Sequence, residues 1–190
     1  MSILSDDIPA LILIDIQKGF EDISSWGTER NNPEAEENAR ILLNLWRSKD
    51  FPIFHIQHCS SEPESLLNES NHGNDFKDIV SPLVGETIVK KNVNSAFIGT
   101  NLRKLLDTEN ISKVVIVGLT TDHCVSTTAR MAGNYGYETY VVSDATATFD
   151  KVGVDGQLFS AQLMHETALA SIHEEFGLVV STKEIAQQIN

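Results

Sequence analysis

Cysteines are scarce in this sequence, which has only Cys59 and Cys124 among its 190 residues. Two cysteines are too few for a disulfide framework, so we expect free thiols and a cytoplasmic protein. Long apolar runs are missing too, and the first residues lack the pattern of a secretory leader, which favours a soluble chain without a targeting signal. We expect one domain over residues 1–190, long enough to bury its core without disulfides or metal.

Basic residues are also in short supply. The chain has 14 lysines and arginines against 27 aspartates and glutamates, a net charge of −13. Such a charge repels phosphate backbones and anionic membrane surfaces. We therefore expect no nucleic acid and no membrane as a partner, and a small molecule as the substrate.

Glycine-rich phosphate loops are absent from the sequence. No Gly-X-Gly-X-X-Gly turn follows the first apolar run, and no Gly-Lys-Ser or Gly-Lys-Thr occurs anywhere. These loops hold the phosphates of dinucleotides and nucleotides through backbone N–H groups. We expect no nucleotide and no other cofactor.

What the chain does have is a regular alternation of short apolar runs and segments of helical periodicity. The apolar runs predict six strands: Ala10–Ile14, Pro52–Ile56, Glu86–Lys90, Val114–Val117, Tyr137–Ser143 and Leu178–Val180. Helices are predicted over residues 33–49, 101–108, 124–134, 157–176 and 181–189. This order predicts an α/β fold, a three-layer doubly wound (Rossmann-like) domain with a central, mostly parallel sheet of about six strands.

The segment after the fourth predicted strand contains a cysteine in a position suited to chemistry. Thr120, Thr121 and Asp122 can each cap a new helix, which places Cys124 in its first turn. A helix N-terminus stabilises a thiolate and can hold an oxyanion, here through the backbone N–H groups of Thr120 and Cys124. The alternative is that Cys124 is a small buried hydrophobe.

Two charged residues lie at comparable positions. Asp15 ends the first predicted strand, and Lys91 follows the third. Because the carboxyl ends of parallel strands meet at one sheet edge, Asp15, Lys91 and Cys124 are expected to meet there. The alternatives are a turn cap for Asp15 and a solvated surface charge for Lys91. Side chains alternate along a strand, so Lys90 should then point away from the site.

Three segments carry a resemblance to one family. Asp15-Ile16-Gln17-Lys18-Gly19-Phe20, the segment Lys91 to Thr100 with Ser95-Ala96-Phe97, and Gly118 to Val125 resemble, in order, the isochorismatase-like cysteine hydrolases. The resemblance implies that Asp15 is the general base, Lys91 the cation and Cys124 the nucleophile. It also implies a cis peptide before Thr120, and a substrate pocket formed by the following residues: Gln17, Phe20, Phe97 and His123.

The activity that the resemblance implies is hydrolysis of a carbon–nitrogen bond, in an amide or N-carbamoyl group of a small molecule, through a thioester. True isochorismatases lack the cysteine, so Cys124 favours the acyl-transfer branch. A nicotinamidase-type amidase and a non-catalytic α/β ligand-binding domain stay open as alternatives. The family further implies a homo-oligomer, either a dimer or a tetramer.

The histidines do not form a pattern that predicts a metal site. His55 and His58 leave opposite faces of an extended chain, and the Asp-X-His pair of related nicotinamidases is absent. We therefore expect no metal. Whether His58, His72 or Trp26 enters the pocket stays open, and His165 is expected on the polar side of its helix.

Overall fold

The computed structural model describes residues 8–189, so both ends of the expected domain lie outside the described residues. Six strands form the central sheet: β1 (Ala10–Ile14), β2 (Ile53–His58), β3 (Thr87–Lys91), β4 (Lys113–Leu119), β5 (Glu138–Ala147) and β8 (Leu178–Val180). A separate two-stranded hairpin consists of β6 (Lys151–Val152) and β7 (Leu158–Phe159). The helices are α1 (Ala35–Lys49), α2 (Leu102–Thr108), α3 (Ser126–Asn134), α4 (Ala161–Ile172) and α5 (Thr182–Ile189).

The sheet runs in the order β3-β2-β1-β4-β5-β8, and its strands pair in parallel. This confirms the predicted doubly wound α/β architecture. The chain moves outward from β1 to β3, then returns to the other side of β1 with β4. The loops after β1 and β4 therefore separate to opposite sides and leave a crevice at the carboxyl edge, where open α/β sheets bind ligands.

Helices cover both faces of the sheet because its central strands are apolar on both faces. Ala10, Ile12 and Ile14 of β1 belong to a core with α2, α3 and α4, while Leu11 and Leu13 belong to a second core with α1 and α5. The alternation along one strand thus divides the interior into two layers.

The last residue but one of β4 is a glycine that the neighbouring strand β1 requires. Gly118 has a φ of +122°, and a Cβ added there would lie 2.0 Å from the carbonyl oxygen of Ile14. A side chain at this position would push β4 away from β1. The glycine therefore lets the two strand ends that carry the site approach each other closely.

Several element ends differ from the prediction. β5 continues past Ser143 to Ala147, because a bulge lets it resume pairing with β4 at Gly118 and Leu119. The helix predicted over residues 157–176 covers only Ala161–Ile172, where Ser160 caps its first turn, and Leu158 lies in the hairpin instead. None of the helices over residues 8–189 combines the length and apolar character that a membrane crossing requires.

Candidate active site

The structure brings Asp15, Lys91 and Cys124 together at the carboxyl edge of the sheet. The Lys91 ammonium lies 2.6 Å from Asp15 Oδ2 and 3.4 Å from Cys124 Sγ. Asp15 follows β1, Lys91 is the last residue of β3, and Cys124 follows β4. All three are buried, so their charges interact with little screening by water.

Asp15 is held in an unusual backbone position with one oxygen unused. Its φ is +51°, in the left-handed region that aspartate and asparagine tolerate better than most residues. Lys91 donates to Oδ2, whereas Oδ1 is buried with no hydrogen-bond partner among the described residues. Oδ1 is therefore available to accept a proton or a hydrogen bond from a nearby group.

Cys124 lies in a single π-helical turn, Thr121–Val125, that precedes α3. The expected helix cap is wrong: the Thr120 side chain makes no capping bond, Thr121 Oγ1 lies 2.9 Å from His165 Nδ1, and Asp122 accepts a hydrogen bond from Thr148. His165 is accordingly buried and not on the polar face of α4. The Leu119–Thr120 peptide is cis, as the resemblance implied.

The thiol of Cys124 is not the activated thiolate expected from the sequence. Burial and the Asp15 carboxylate raise its pKa above the usual cysteine range, and Lys91 offsets this only in part. The expected thiolate rested on the Lys91 ammonium and the helix end, whereas burial and the charge of Asp15 outweigh them. The resting site therefore contains a protonated thiol beside a carboxylate.

His58 is a fourth member of the cluster. Its Nδ1 lies 3.0 Å from the Lys91 ammonium, which can only donate, so Nδ1 is the unprotonated nitrogen. Burial and the positive charge of Lys91 lower the pKa of His58. The imidazole is thus neutral at physiological pH and carries its proton on Nε2.

Gln17 bonds to the backbone at the end of β2, which carries His58, and does not line the cavity. Its amide nitrogen donates to the carbonyls of His58 and Asn74, and its Oε1 accepts from the His58 N–H. The expectation of Gln17 in the substrate pocket is corrected by these contacts. Its side chain is fully used in fixing the end of β2.

A cavity of about 220 Å³ opens onto the cluster. It is lined by Asp15, Phe20, Trp26, His58, Ser65, Leu67, Asn94, Thr120, His123, Cys124 and Lys151. Phe20 and His123 are thus where the sequence placed them, and His58 and Trp26 enter the pocket. His72 does not: it is exposed and pairs with Asp75 at 2.7 Å.

Phe97 also lies outside this cavity, contrary to the expectation. Its ring packs against Tyr137 and Tyr135, with centroids 6.0 and 5.4 Å away. It is buried in the core layer of α2 and α3 and contributes to packing. Ser95, two residues earlier, bonds to Met131 and to the Phe97 N–H, which ties this segment to α3.

Four further residues line the cavity without having been predicted from the sequence: Ser65, Leu67, Asn94 and Lys151. Three of them lie in long polar connections without helix or strand periodicity. Lys151 begins the hairpin that follows β5. No local sequence pattern predicts that Lys151 lies near the end of β4, more than 25 residues earlier in the chain. This proximity depends on tertiary packing.

The cluster also contains ligand types that bind metals. One donor atom each from Asp15, His58 and Cys124 lie within 4.8 Å of one another. Carboxylate, imidazole and thiolate together suit zinc. The Lys91 ammonium contacts the same three residues, however, so a cation already occupies the space between them.

A larger cavity lies elsewhere and, among the described residues, is lined by no cysteine, serine, histidine or lysine. It measures about 570 Å³ and is formed around the amino end of β2 by residues including Arg47, Phe51 and Glu86. Arg47 and His55 are both bonded to Glu86, which makes this a structural network below the sheet. The smaller cavity at the carboxyl edge is the candidate active site.

The chain is similar in sequence to proteins of one family. An isochorismatase domain model matches residues 9–184. The isochorismatase family protein YrdC of Bacillus subtilis (strain 168) is 48% identical over 176 residues, covering 93% of this chain and 93% of that protein. Maleamate amidohydrolase of Pseudomonas putida is 27% identical, covering 95% of this chain and 86% of that protein.

The fold also matches solved structures. A hydrolase of the isochorismatase family from Chromobacterium violaceum ATCC 12472 superposes with a TM-score of 0.94 at 39% identity. The match covers 98% of this chain and 95% of that chain. On this evidence the chain belongs to the isochorismatase family of hydrolases.

Proposed function

We propose that the protein is a cysteine hydrolase that cleaves the carbon–nitrogen bond of a small amide or N-carbamoyl compound. The observation that carries this proposal is the contact of Lys91 with both Asp15 and Cys124 beside one small cavity. A thiol, a carboxylate and an ammonium in contact supply a nucleophile, a base and a cation. The relationship to a maleamate amidohydrolase supports cleavage of an amide.

The first step joins proton transfer to attack. Cys124 carries its proton at rest, since burial and Asp15 raise its pKa. As sulfur attacks the acyl carbon, the thiol proton moves to Asp15 Oδ1, the oxygen that Lys91 leaves free. The carbonyl electrons move onto oxygen, where the backbone N–H groups of Thr120 and Cys124 are the proposed donors.

The second step releases the nitrogen. The intermediate collapses as the carbon–nitrogen bond breaks, and protonated Asp15 gives its proton to the leaving nitrogen. An amine or ammonia departs, and the acyl group stays on Cys124 as a thioester. Asp15 is ionised again and ready for a second cycle of proton transfer.

Water completes the reaction. Asp15 takes a proton from a water molecule whose oxygen attacks the thioester carbon. The sulfur leaves, Asp15 returns the proton to it, and a carboxylic or carbamic acid is released. Lys91 assists throughout, because its positive charge lies 3.4 Å from the sulfur and stabilises negative charge that develops there.

Two alternatives are separated from this proposal by experiment. A nicotinamidase-type amidase would turn over nicotinamide, an uncharged aromatic amide. A non-catalytic ligand-binding domain would bind small molecules without turnover, because a fold can be kept when its chemistry is lost. Both predict a different outcome in a substrate screen.

The test is a screen of amides, N-carbamoyl amines and ureides, with nicotinamide included, that measures released ammonia or amine. Cys124→Ala serves as the blank, and Cys59→Ala as the matched cysteine control. The proposal expects release by the wild type and by Cys59→Ala but not by Cys124→Ala. Release by Cys124→Ala, or binding without release across the panel, would contradict it.

We further propose that the protein works as a cytoplasmic homo-oligomer, a dimer or a tetramer. Two free cysteines fit a reducing compartment. Val152, Val154 and Leu158 of the β6–β7 hairpin are exposed, and clustered exposed apolar side chains are typical of contact surfaces. Light scattering at working concentration tests this, and a monomer would refute it.

A further inference from the structure

The Lys91 ammonium has three hydrogens, and three acceptors surround it. These acceptors are Asp15 Oδ2 at 2.6 Å, His58 Nδ1 at 3.0 Å and Cys124 Sγ at 3.4 Å. Asp15 and Cys124 act in the proposed reaction as base and nucleophile. His58 has no part in those steps, yet it accepts the remaining hydrogen of the ammonium.

The pairing of two strands places His58 beside Lys91. β2 and β3 are parallel, and His58 is the register partner of Lys91. Paired residues direct their side chains to the same face of a sheet, so the imidazole and the lysine stem lie on one face. The preceding pair, Gln57 and Lys90, directs its side chains to the opposite face. The contact between His58 and Lys91 therefore follows from the fold.

The backbone of His58 is held by two side chains from other segments. Gln17 accepts from the His58 N–H at 2.9 Å and donates to its carbonyl at 3.0 Å. Asn74 donates to the same carbonyl at 2.8 Å. The end of β2 therefore cannot shift without breaking these bonds, and His58 presents Nδ1 from a fixed position.

Without this acceptor, two groups at the centre of the site would lack a partner. One is the third hydrogen of the Lys91 ammonium, and the other is Asp15 Oδ1, which is buried with no hydrogen-bond partner among the described residues. Lysine carries a compact charge on a flexible stem, and a carboxylate attracts it strongly in a buried site. The ammonium would satisfy both groups by turning to bridge the two carboxylate oxygens.

Such a bridge would impair the proposed reaction in two ways. Asp15 Oδ1 is the oxygen that receives the thiol proton, and a bound ammonium would block it. The ammonium would also move away from Cys124 Sγ, which it now contacts at 3.4 Å. The negative charge that develops on sulfur would then lose its neighbouring cation.

We propose that His58 is a positioning residue, which holds the Lys91 ammonium between Asp15 and Cys124 and away from the Asp15 oxygen that exchanges protons. It acts through the lone pair of Nδ1 and takes up no proton itself. The effect on turnover rests on the proposed function. The effect on the position of the ammonium does not depend on any substrate.

The test compares three replacements of His58. Asparagine places an amide oxygen close to the position of Nδ1, glutamine places its amide close to the position of Nε2, and leucine offers no acceptor. With the amide that the wild type hydrolyses fastest in the screen, His58→Leu should lower kcat by about tenfold to a hundredfold, the scale of a misplaced catalytic group. His58→Asn should recover most of this loss, and His58→Gln should not. Recovery by glutamine and not by asparagine would overturn the inference, because the role would then belong to Nε2.

A double-mutant cycle determines whether His58 acts through Lys91. Lys91→Ala removes the group that His58 holds, so adding His58→Leu to Lys91→Ala should lower kcat little further. Losses that multiply would overturn the inference, because His58 would then act independently of Lys91. His72→Leu is the matched control. His72 is exposed and pairs with Asp75 on the surface, so its replacement should leave kcat unchanged.

A crystal structure of His58→Leu shows the position of the ammonium without any turnover. Lys91 Nζ should lie within hydrogen-bond distance of both Asp15 oxygens and farther from Cys124 Sγ than the present 3.4 Å. An ammonium that keeps its present contacts with Asp15 and Cys124 would overturn the inference. If His58→Leu does not fold, His58→Gln takes its place in the cycle and in the structure, because its amide does not reach the position of Nδ1.

The two kinds of measurement separate failure of this inference from failure of the proposed function. A displaced ammonium in a protein that hydrolyses no amide of the screen supports the role of His58 and contradicts the proposed function. Hydrolysis with a normal kcat in His58→Leu retains the proposed function and overturns the role of His58.

Discussion

Lys91 donates to one carboxylate oxygen of Asp15 and leaves the other without a partner. The Nζ–Oδ2 distance is 2.6 Å, and Oδ1 is buried without a hydrogen-bond partner among the described residues. A buried acceptor without a partner is costly, so this oxygen is open to a hydrogen bond from the thiol or the substrate. In the proposed mechanism the two oxygens have different roles. Oδ2 holds the Lys91 ammonium, and Oδ1 exchanges protons with Cys124 and the substrate.

Replacing Asp15 by asparagine should have opposite effects on turnover and on thiol reactivity. Turnover should fall about a hundredfold or more, because an amide cannot accept and return a proton. Alkylation of Cys124 by iodoacetamide near neutral pH should become faster, because loss of the negative charge lowers the pKa of the thiol. Asparagine tolerates the φ of +51°, so the backbone should be preserved.

The measurement for this variant is alkylation followed by mass spectrometry, in a Cys59→Ala background that removes the second thiol. Hydrolysis is measured on the same preparations. Slower alkylation of Asp15→Asn, or a near-normal hydrolysis rate, would assign the base to another residue.

Replacing Lys91 and replacing its neighbour Lys90 should have very different effects on turnover and on thiol reactivity. Lys91→Ala should reduce turnover about a hundredfold or more, the scale of a positioned electrostatic group. It should also slow alkylation, because Lys91 lowers the pKa of Cys124. Lys90 is 60% exposed and pairs with Glu69 on the surface, so Lys90→Ala should change neither quantity much.

The stability of Lys91→Ala and Lys90→Ala must be measured together with their activity. Loss of Lys91 leaves Asp15 buried without its cation, which costs about 3–5 kcal/mol in comparable cases. Hydrolysis and alkylation rates are therefore compared under conditions in which circular dichroism shows that both variants are folded. An alkylation rate that responds to Lys90→Ala and not to Lys91→Ala would contradict the assignment.

Activity should not depend on a metal. The Lys91 ammonium contacts Asp15, His58 and Cys124, the residues whose donor atoms lie close enough to share an ion. A zinc ion would have to displace that ammonium. Dialysis against a chelator should leave the rate unchanged. Loss of activity that zinc or iron restores would promote the nicotinamidase alternative.

Stability should decrease on mild acidification, with a contribution from His55. Burial lowers the pKa of His55 below 6.5. Below that pH the unfolded chain therefore takes up a proton before the folded chain does, and the free energy of unfolding falls. Its partner Glu86 stays ionised: burial raises its pKa, but Arg47, the Leu83 N–H and His55 together lower it to about 2.

The comparison is His55→Gln against the wild type by urea denaturation between about pH 7 and pH 5. Glutamine keeps a donor for Glu86 but does not titrate. The variant should lose less stability over this range, by on the order of 1 kcal/mol. His58 and His165, whose pKa values burial also lowers, should maintain a residual slope. An unchanged pH dependence in the variant would contradict the prediction.

The sheet could be predicted from the sequence because its central strands are apolar on both faces. Ala10–Ile14 is fully buried, and Lys113–Leu119 is buried along its whole length. Asp15 and Lys91 could be assigned to one edge because each stands at the end of a parallel strand. These inferences use only the alternation of elements and the position of each residue relative to a strand.

What could not be predicted depends on tertiary contacts. The raised pKa of Cys124 follows first from burial, whose extent local sequence does not reveal, and then from the charge of Asp15, whose effect exceeds that of Lys91. Lys151 reaches the cavity from a two-residue strand without periodicity. The sequence also does not distinguish the π turn of Thr121–Val125 from an ordinary first turn, because five residues are too few to show a period.

The proposed mechanism requires that Cys124 form a thioester with the acyl part of the substrate. This intermediate can be trapped by rapid acid quench during turnover of a hydrolysed amide and located by intact mass and peptide mapping. We expect a mass increase equal to the acyl group on the peptide that contains Cys124, removed by hydroxylamine and absent from Cys124→Ala. Continued hydrolysis by Cys124→Ala, or an adduct located on Cys59, would contradict a thioester at Cys124.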